Sequence, residues 1–410
     1  MNEIGIIKRC IIFSLFFFLL VGCSSIKNKN SAGSEITATV AEMHAYKAAH
    51  HAYYLITTAE QAGGTNKLMH TRKLPTEGDD PVVTPALDHL YSKAVIDLSD
   101  GPVFLETPKV EKDRYFSIMV TDQEHYVIFD LIRPSGTFVF VKKGFKGEVP
   151  AGATVIENRS TYPHLFVRTQ VKTPDDIKNA LAIQNKVKLK GTVGKLEFTN
   201  PIQFTIETHD IYPQNEGLLA SVAPTYNDEV HARMQAFMTQ EYVKRSAAEG
   251  ANNIGMFGPI DSKEPRSDDP VNRLIGIVGH LGLPVDSATM PGKTHAYYTG
   301  VVTNCQGEIF NGSKTEVFVF PYEPGVDEFW SITRYHGVTY NTIPGAQDVY
   351  NAYNTKPDEN GNITITFSAE DPKDGTYWMP VVAGEPYYFV ERFYGPRMDE
   401  ITTVLQRCNN

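Results

Sequence analysis

The chain has 410 residues, a formal net charge of −10, 41% hydrophobic residues and 21% charged residues. At roughly 150 residues per domain the length predicts two or three domains, and the composition is typical of a folded protein rather than a disordered one. An acidic balance without a stripe of Lys and Arg argues against nucleic-acid binding. The 4 Cys are too few for a small disulfide-stabilised fold, and the 21 Tyr and 22 Phe favour β-structure and ring-lined pockets.

Residues 1–22 have the features of a secretory signal peptide. Lys8 and Arg9 precede an apolar run that is too short to span a bilayer comfortably. The run ends in Leu-Val-Gly-Cys, which resembles the lipobox of bacterial lipoproteins, and this resemblance implies cleavage before Cys23 and lipid attachment to its thiol. An uncleaved anchor, or an ordinary signal followed by a chance cysteine, is the alternative.

The residues after Cys23 indicate where such a lipoprotein resides. Ser24 and Ser25, rather than Asp, resemble outer-membrane lipoproteins, and residues 23–34 are typical of a polar tether. We therefore expect a cell-envelope protein whose membrane partner is reached through the N-terminal lipid.

Two other cysteines remain after the signal is removed. A disulfide between Cys305 and Cys408 would close a loop of about a hundred residues and contribute roughly 4–5 kcal/mol in an oxidising compartment. Two free thiols are the alternative. No Cys and His spacing resembles a zinc site, so we expect no metal.

In chain order the first element is a helix over residues 34–59, with Ser34 as its cap and Met43 and Lys47 on its apolar face. His44, His50 and His51 also lie on this helix. They are interpreted as packed or solvated histidines rather than metal ligands.

A first β-rich block follows over residues 81–189, with Gly- and Pro-containing turns between short alternating segments. These predict strands at 102–106, 115–120, 126–129, 137–141, 155–157 and 165–170. Thr173 then begins a helix that ends near Gln184.

The middle of the chain is predicted to be helical, and a second β-rich block follows it. Helices begin after Asn227 and Asp269, and their apolar stripes are interpreted as packing faces. The second block, residues 294–408, predicts strands at 297–303, 316–320, 329–335, 363–368 and 387–393, with a hairpin turn at Asn360-Gly361.

These elements predict a mainly β protein of the α+β class. It contains two β-sandwich or jelly-roll-like domains, residues 35–190 and 294–410, joined by a helical connecting region over residues 191–293.

The two blocks contain similar runs, which predicts an internal duplication. Residues 113–118 and 327–332 both read Asp, a polar residue, two rings, Ser and Ile, and Val-Phe pairs at 103–104 and 317–318 match at the same spacing. Coincidence between two β-rich stretches is the alternative. Two sandwiches of related topology are the structural prediction.

A second set of matches lies further along the chain. Residues 163–167 match residues 386–390 at a slightly larger spacing, and Gly136 and Gly361 each precede an alternating strand.

The first block resembles the bacterial family catalogued as domain of unknown function 1254. The resemblance rests on ordered motifs, among them Asp88-His89-Leu90-Tyr91-Ser92, Asp97-Leu98-Ser99-Asp100-Gly101-Pro102, Asp113-Arg114-Tyr115-Phe116-Ser117 and Gly147-Glu148-Val149-Pro150-Ala151-Gly152. The second block resembles its companion, domain of unknown function 1214, through Phe329-Trp330-Ser331-Ile332-Thr333, Trp378-Met379-Pro380 and Arg392-Phe393-Tyr394-Gly395-Pro396. The resemblance implies a β-sandwich or jelly-roll fold and brings no settled activity. His89 stands where the family usually has Thr.

Polar residues of the first block form one candidate site. An arginine beside a ring on a strand can hold a carboxylate, a sulfate or a sugar acid in bidentate fashion. The ligand-binding candidates are Tyr91, Arg114, Tyr115, Arg133 and Arg168. Asp88 and Asp122 are the catalytic candidates, provided that the fold brings them within about 10 Å. Arg–Asp pairs that pin loops are the alternative.

In the second block Trp330, Arg334 and Trp378 are the ligand-binding candidates, because rings stack on sugar faces and Arg holds acidic groups. A sandwich core with polar rim residues is the alternative.

Three functions remain open at this point. The first is a non-catalytic envelope lipoprotein that binds a ligand or partner, such as a glycan or a small acidic molecule. The second is an envelope enzyme acting on the same class of molecule through the Asp, Arg and Tyr residues of the first block. The third is assembly into a homo-oligomer through β-edges. No motif indicates a cofactor, which stays unknown.

Overall fold

The computed structural model describes residues 35–75, 84–249, 258–261, 269–279, 284–337, 339, 341–343 and 348–407. The predicted signal peptide 1–22, the tether 23–34 with Cys23, and Cys408 lie outside the described residues.

The strands, in chain order, are β1 Met69–His70, β2 His89–Val95, β3 Val103–Thr107, β4 Phe116–Thr121, β5 Val127–Ile132, β6 Gly136–Lys142, β7 Thr154–Asn158, β8 His164–Gln170, β9 Lys188–Lys190, β10 Pro284–Asp286, β11 Thr294–Val301, β12 Glu316–Pro321, β13 Val326–His336, β14 Val349–Asn351, β15 Asn362–Ser368, β16 Tyr377–Pro380 and β17 Tyr387–Pro396. The α-helices are α1 Val40–Ala62, α2 Ile177–Gln184, α3 Pro201–Thr208, α4 Pro213–Val222, α5 Asp228–Glu249, α6 Pro270–Gly279 and α7 Val404–Arg407.

The N-terminal domain is a sandwich of two sheets. The five-stranded sheet has the order β1-β2-β8-β4-β5, and the four-stranded sheet has the order β7-β6-β3-β9. Alternation along β4 sends Phe116, Ile118 and Val120 into the core between the sheets, where they meet Leu105 and Phe140.

The C-terminal domain is a second sandwich. Its five-stranded sheet has the order β10-β11-β17-β13-β14, and its three-stranded sheet has the order β12-β15-β16. Trp330 and Ile332 of β13 pack against Phe318, Phe367 and Phe389 in the core.

The two sandwiches share one strand order, which confirms the predicted fold class and supports the internal duplication. Strands β2-β8-β4-β5 correspond to β11-β17-β13-β14, and β3-β6-β7 corresponds to β12-β15-β16. Even the parallel pair β6–β7 has a parallel counterpart in β15–β16. Ser117 faces Arg168 across β4–β8, as Ser331 faces Arg392 across β13–β17.

Not every sequence match is in register. The run at 113–118 aligns correctly with 327–332, but Phe166 corresponds to Val390 and Val103 to Phe318, each one residue away from the match in the sequence. A shift of one residue moves a side chain to the other face of a strand. Two apolar strands can therefore be similar in sequence at a spacing that differs by one residue from their structural alignment.

The two five-stranded sheets face each other through the side chains that point away from their own sandwich cores. Tyr115, Met119 and Phe166 of one sheet share a buried cluster with Phe329 and Tyr394 of the other. Side chains from helices α1, α5 and α6 complete this cluster.

Of three predicted helix starts, one differs from the structure and two agree with it. Helix α1 begins after Thr39, which forms a reciprocal capping box with Glu42, rather than after Ser34. Asn227 Oδ1 accepts the Val230 amide at 2.9 Å and Asp269 Oδ1 accepts the Val271 amide at 2.8 Å, so these two predicted helix starts are confirmed. Helices α3 and α4 lie within the region 191–293 that was predicted to be helical, although no bounds were predicted for them.

Candidate functional site

The turn between β4 and β5 is shaped by the Asp122 carboxylate. Its Oδ1 accepts the amides of Glu124 and Tyr126, both at 2.9 Å. This arrangement holds His125 at a φ of 63°, a left-handed conformation that non-glycine residues adopt infrequently. The turn therefore directs Glu124, His125 and Tyr126 toward the helices.

Glu124 is the centre of a buried hydrogen-bond network. Its Oε1 accepts Asn215 Nδ2 of α4 at 2.7 Å, and its Oε2 lies 3.2 Å from His209 Nε2. Burial opposes ionisation, but the His209 hydrogen bond and the charge of Lys47 hold the pKa of Glu124 at about 2. Burial also opposes protonation of His209, yet its carboxyl neighbours raise its pKa above the usual value.

Asp122 belongs to the same network. Its Oδ2 accepts the Tyr212 hydroxyl at 2.8 Å, in addition to the two amides on Oδ1. Complete burial raises the pKa of this carboxyl. Both Asp122 oxygens are therefore engaged by the protein itself.

A cavity of about 150 Å³ lies against this network, between the turn and helices α1, α4 and α6. We call it the helix-side cavity. Its wall includes Met43, His44, Lys47, Tyr126, Asn215 and Arg273.

Two cationic side chains meet the same ring at this cavity. Lys47 Nζ lies 5.1 Å from the centre of the Tyr126 ring and Arg273 Cζ lies 4.2 Å from it, within the range of cation–π attraction. Only 3% of Lys47 and 4% of Arg273 are exposed. Lys47 Nζ forms no ion pair or hydrogen bond within the part of the chain that the structure describes.

His44 presents a neutral ring to the cavity. Burial, together with the charge of Lys47, lowers the pKa of His44 to about 3. Its Nδ1 is buried without a hydrogen-bond partner.

The structure does not bring Asp88 and Asp122 together. The Asp88 carbonyl accepts the Val171 amide beyond one end of β8, whereas Asp122 follows Thr121, which pairs with His164 at the other end. The seven-residue strand β8 lies between them, a separation of roughly 20 Å. An acid/base pair made of these two carboxyls is therefore not available.

Arg114 and Arg133 are occupied by ion pairs. Arg114 holds Asp176 in bidentate fashion at 2.6 and 2.9 Å and also reaches Glu111. Arg133 is paired with both carboxylate oxygens of Glu328 across the two domains. Both arginines thus have the loop-pinning role that the sequence left open as the alternative.

The second-block candidates lie in or beside the sandwich core. Trp330 Nε1 donates to the Tyr322 carbonyl at 2.7 Å, and Trp378 Nε1 donates to the Ser368 carbonyl at 3.1 Å. Arg334 is fully buried on the core face of β13 and is paired with Asp348. None of these three side chains lines the helix-side cavity.

Tyr91, Tyr115 and Arg168 lie at the interface between the two five-stranded sheets, away from the helix-side cavity. The Tyr115 hydroxyl is 2.7 Å from His295 Nε2 of the other domain, and Arg168 lies over the Tyr91 ring at 5.7 Å.

Lys47, Glu124, Asn215 and Arg273 were not singled out from the sequence as site residues. One signal for Lys47 was present, since a lysine on the apolar face of α1 must be buried with its charge. Glu124 lies on the turn, Asn215 on α4 and Arg273 on α6. No local sequence pattern indicates that these three elements meet.

Cys305 is disulfide-bonded. Its predicted pairing with Cys408 stays a prediction, because Cys408 lies outside the described residues. Among those residues, no three His, Cys, Asp or Glu side chains are grouped so that they could hold a metal ion. No helix within the described ranges is both long enough and apolar enough to cross a membrane.

Fold and site define an internally duplicated protein of two β-sandwiches with a cation-lined cavity. Residues 65–191 match the family described as Protein of unknown function (DUF1254), and residues 295–398 match Protein of unknown function (DUF1214). The chain belongs to these two families, joined in this order.

Solved structures support the fold. The crystal structure of the VPA0106 protein from Vibrio parahaemolyticus is similar with a TM-score of 0.67 and 19% identity, covering 90% of this chain and 96% of that chain. An uncharacterised protein from Burkholderia cenocepacia matches with a TM-score of 0.43 and 12% identity, covering 87% of this chain and 84% of that one, which is too distant to carry an argument. No curated protein shows significant similarity to the chain.

Proposed function

We propose that this protein binds a small anionic molecule in the helix-side cavity. The observation that carries the proposal is Lys47, a buried ammonium group at the cavity wall with no ion-pair partner among the described residues. A buried charge is costly unless an opposite charge or hydrogen bonds compensate it. A bound anion supplies that compensation.

The charge at the cavity wall supports an anion rather than a cation. Lys47 and Arg273 line the cavity, whereas no Asp or Glu is among the described lining residues. Glu124 and Asp122 lie behind the wall and are engaged by His209, Asn215 and Tyr212. The charge of Glu124 acts on both Lys47 and Arg273, but neither carboxyl is among the described lining residues of the cavity.

The volume limits the size of the ligand. A cavity of about 150 Å³ is comparable in size to one that binds benzene, so it has room for about six non-hydrogen atoms. Short carboxylic acids and inorganic oxyanions fit this space. The amides of Gln214 and Asn215 at the wall are suited to a second polar group on the ligand.

Binding is better supported than catalysis. A general base must reach its substrate, and both Asp122 oxygens are already taken by the turn amides and Tyr212. The enzyme alternative therefore lacks an available carboxyl in this part of the structure.

Isothermal titration of the full chain in detergent tests the proposal, with propionate, phosphate and sulfate as anionic probes and propionamide as the neutral one. We expect at least one anion to bind and propionamide not to bind. Lys47→Met should weaken anion binding at least tenfold, and Lys47→Arg should retain part of it. Lys178→Met, which removes an exposed lysine of α2, is the matched control. Equal binding of propionamide and propionate, or unchanged binding by Lys47→Met, overturns the proposal.

We further propose that the protein is held at the cell envelope by a lipid on Cys23, as the lipobox-like sequence implies. Labelled palmitate should enter the wild-type chain in a bacterial host and should not enter Cys23→Ser. Cys10→Ser removes the neighbouring cysteine of the signal region and should leave the labelling unchanged. Labelling of Cys23→Ser contradicts the anchor.

A further inference from the structure

We propose a second anion site, buried between the two five-stranded sheets, in which Arg168 and Arg392 together hold one small anion, either a halide or a carboxylate group. This site is independent of the helix-side cavity. It is built from corresponding residues of the two duplicated domains.

The two arginines occupy the same position in their sheets. Arg168 pairs with Tyr91 on one side, and Arg392 pairs with Tyr298 in the same way. Each guanidinium lies over the ring of that tyrosine, at 5.7 and 5.8 Å. Both side chains point toward the opposite domain.

Side chains of both domains meet around the two arginines. The Tyr394 ring lies 5.0 Å from Tyr115 and 5.8 Å from His89 of the other domain. His89 also lies 4.7 Å from the Tyr91 ring beneath Arg168, and Tyr394 lies 5.7 Å from the Tyr298 ring beneath Arg392, so continuous ring contacts join the two arginines. Only 8% of Arg168 and 4% of Arg392 are exposed.

Three guanidinium donors in this region have no hydrogen-bond partner within the described residues. They are Arg168 Nε and Nη1 and Arg392 Nη1, and all three are buried. Arg392 Nη2 does have partners, the Thr84 carbonyl at 3.1 Å and the Tyr335 hydroxyl at 2.8 Å. The guanidinium of Arg168 forms no hydrogen bond or ion pair within the described ranges.

The positive charge of the two arginines is only partly compensated. Asp88 is the carboxyl that acts on Arg392, and its Oδ2 is taken by the Ser331 hydroxyl at 2.6 Å. One carboxyl facing two guanidinium groups leaves a net positive charge away from water, and burial raises the pKa of Asp88, which weakens even that compensation. The tyrosine faces attract the cations but accept no strong hydrogen bond. A single anion accepts hydrogen bonds from the unpartnered guanidinium donors and offsets the excess positive charge.

Thermal unfolding of the full chain in detergent tests this site. Sodium chloride and sodium acetate are compared at equal ionic strength with the sodium salt of a bulky sulfonate that is too large to be buried. We expect chloride, acetate or both to raise Tm by about 2–4 °C over the sulfonate. A response to both probes indicates a free ion site, and a response to acetate alone indicates a site for the carboxylate of a larger ligand.

Arg168→Met should abolish the salt-specific rise in Tm, and Arg392→Met should reduce it. Arg397→Met is the matched control, because Arg397 is a partly exposed arginine paired with Asp327 and Glu400. If the arginine variants do not fold, wild-type crystals grown in bromide should show an anomalous peak within hydrogen-bond distance of Arg168 Nε or Nη1. No Tm difference among the three salts overturns the proposal, as does a rise that Arg168→Met retains.

Discussion

The two sandwiches have the same strand order but differ at corresponding positions, and the differences decide which copy carries a site. Val167 of the first copy is replaced by the buried Glu391 in the second, and Asp122 is replaced by His336. The two copies share their strand arrangement but differ in the positions that carry polar side chains.

The surroundings of the two copies differ as well. Helices α1, α4 and α6 cover one end of the first sheet and enclose the helix-side cavity against the turn that follows β4. At the end of β13 in the second copy, His336 Nε2 instead contacts the half-exposed carboxyl group of Glu385. The helix-side cavity therefore forms because helices cover the end of the sheet in the first copy.

The largest effect should come from Asp122→Ala. The change leaves two buried amides and the Tyr212 hydroxyl without an acceptor, and should lower the free energy of unfolding by about 3–5 kcal/mol. His336→Ala at the corresponding position should cost less than about 1 kcal/mol, because its partner is exposed. Urea denaturation of both variants measures the difference, and equal losses would contradict this account of the two strand ends.

Glu391 should make stability depend on pH. Burial raises its pKa from 4.5 to about 7. Since the folded state then holds the proton more tightly than the unfolded state, its contribution is greatest below pH 4.5 and is lost as the pH rises to about 7.

Glu391→Gln should remove that dependence. At about pH 8 the variant should be more stable than the wild type by on the order of 3 kcal/mol, and the advantage should vanish near pH 4.5. Denaturation curves at several pH values measure it. Glu391→Val, which installs the residue of the first copy, should show the same trend while losing the hydrogen bond from the Val404 amide. An advantage that does not change with pH would rule out this role of Glu391.

A smaller effect is expected at the two serines that face the arginines. Ser331→Ala removes a 2.6 Å hydrogen bond to the buried Asp88 carboxyl and should cost about 2 kcal/mol. Ser117→Ala removes a 3.1 Å bond to the Tyr115 hydroxyl and should cost about 1 kcal/mol or less. The ranking of the two Tm values is the test, and a reversed ranking would show that Asp88 does not depend on Ser331.

The smallest effect concerns two corresponding glycines, one at the start of β6 and one just before β15. Gly136 has a φ of 108° and Gly361 a φ of 77°, and neither has any atom that an added Cβ would meet. Gly361 is closer to the left-handed region that other residues reach, so Gly361→Ala should cost about 1 kcal/mol and Gly136→Ala slightly more. Denaturant midpoints compare the two, and a more costly Gly361→Ala would contradict this conformational argument.

Much of the fold could be predicted from local patterns. The alternation that identified β4, β8 and β17 reflects which side chains face a core, and the two rings followed by Ser and Ile gave the duplication in the correct register. Matches that consisted only of apolar residues were shifted by one position, since such residues occur on both faces of a buried strand.

The site could be predicted much less well. Arg114 was a reasonable ligand candidate, but it is paired with Asp176. Asp176 lies far along the chain, and no sequence pattern indicates that the two residues pair. Lys47, Asn215 and Arg273 lie on three separate helices, so their meeting depends on helix packing that no motif records.

The position of β17 has a consequence for how the chain is made. Among the described residues this strand is the last in chain order, and it lies between β11 and β13, pairing with both. A growing chain therefore exposes the edges of β11 and β13 until β17 has been synthesised. Pairing over such long sequence separations is slow, so the C-terminal domain should depend on chaperones that cover open strand edges before closure.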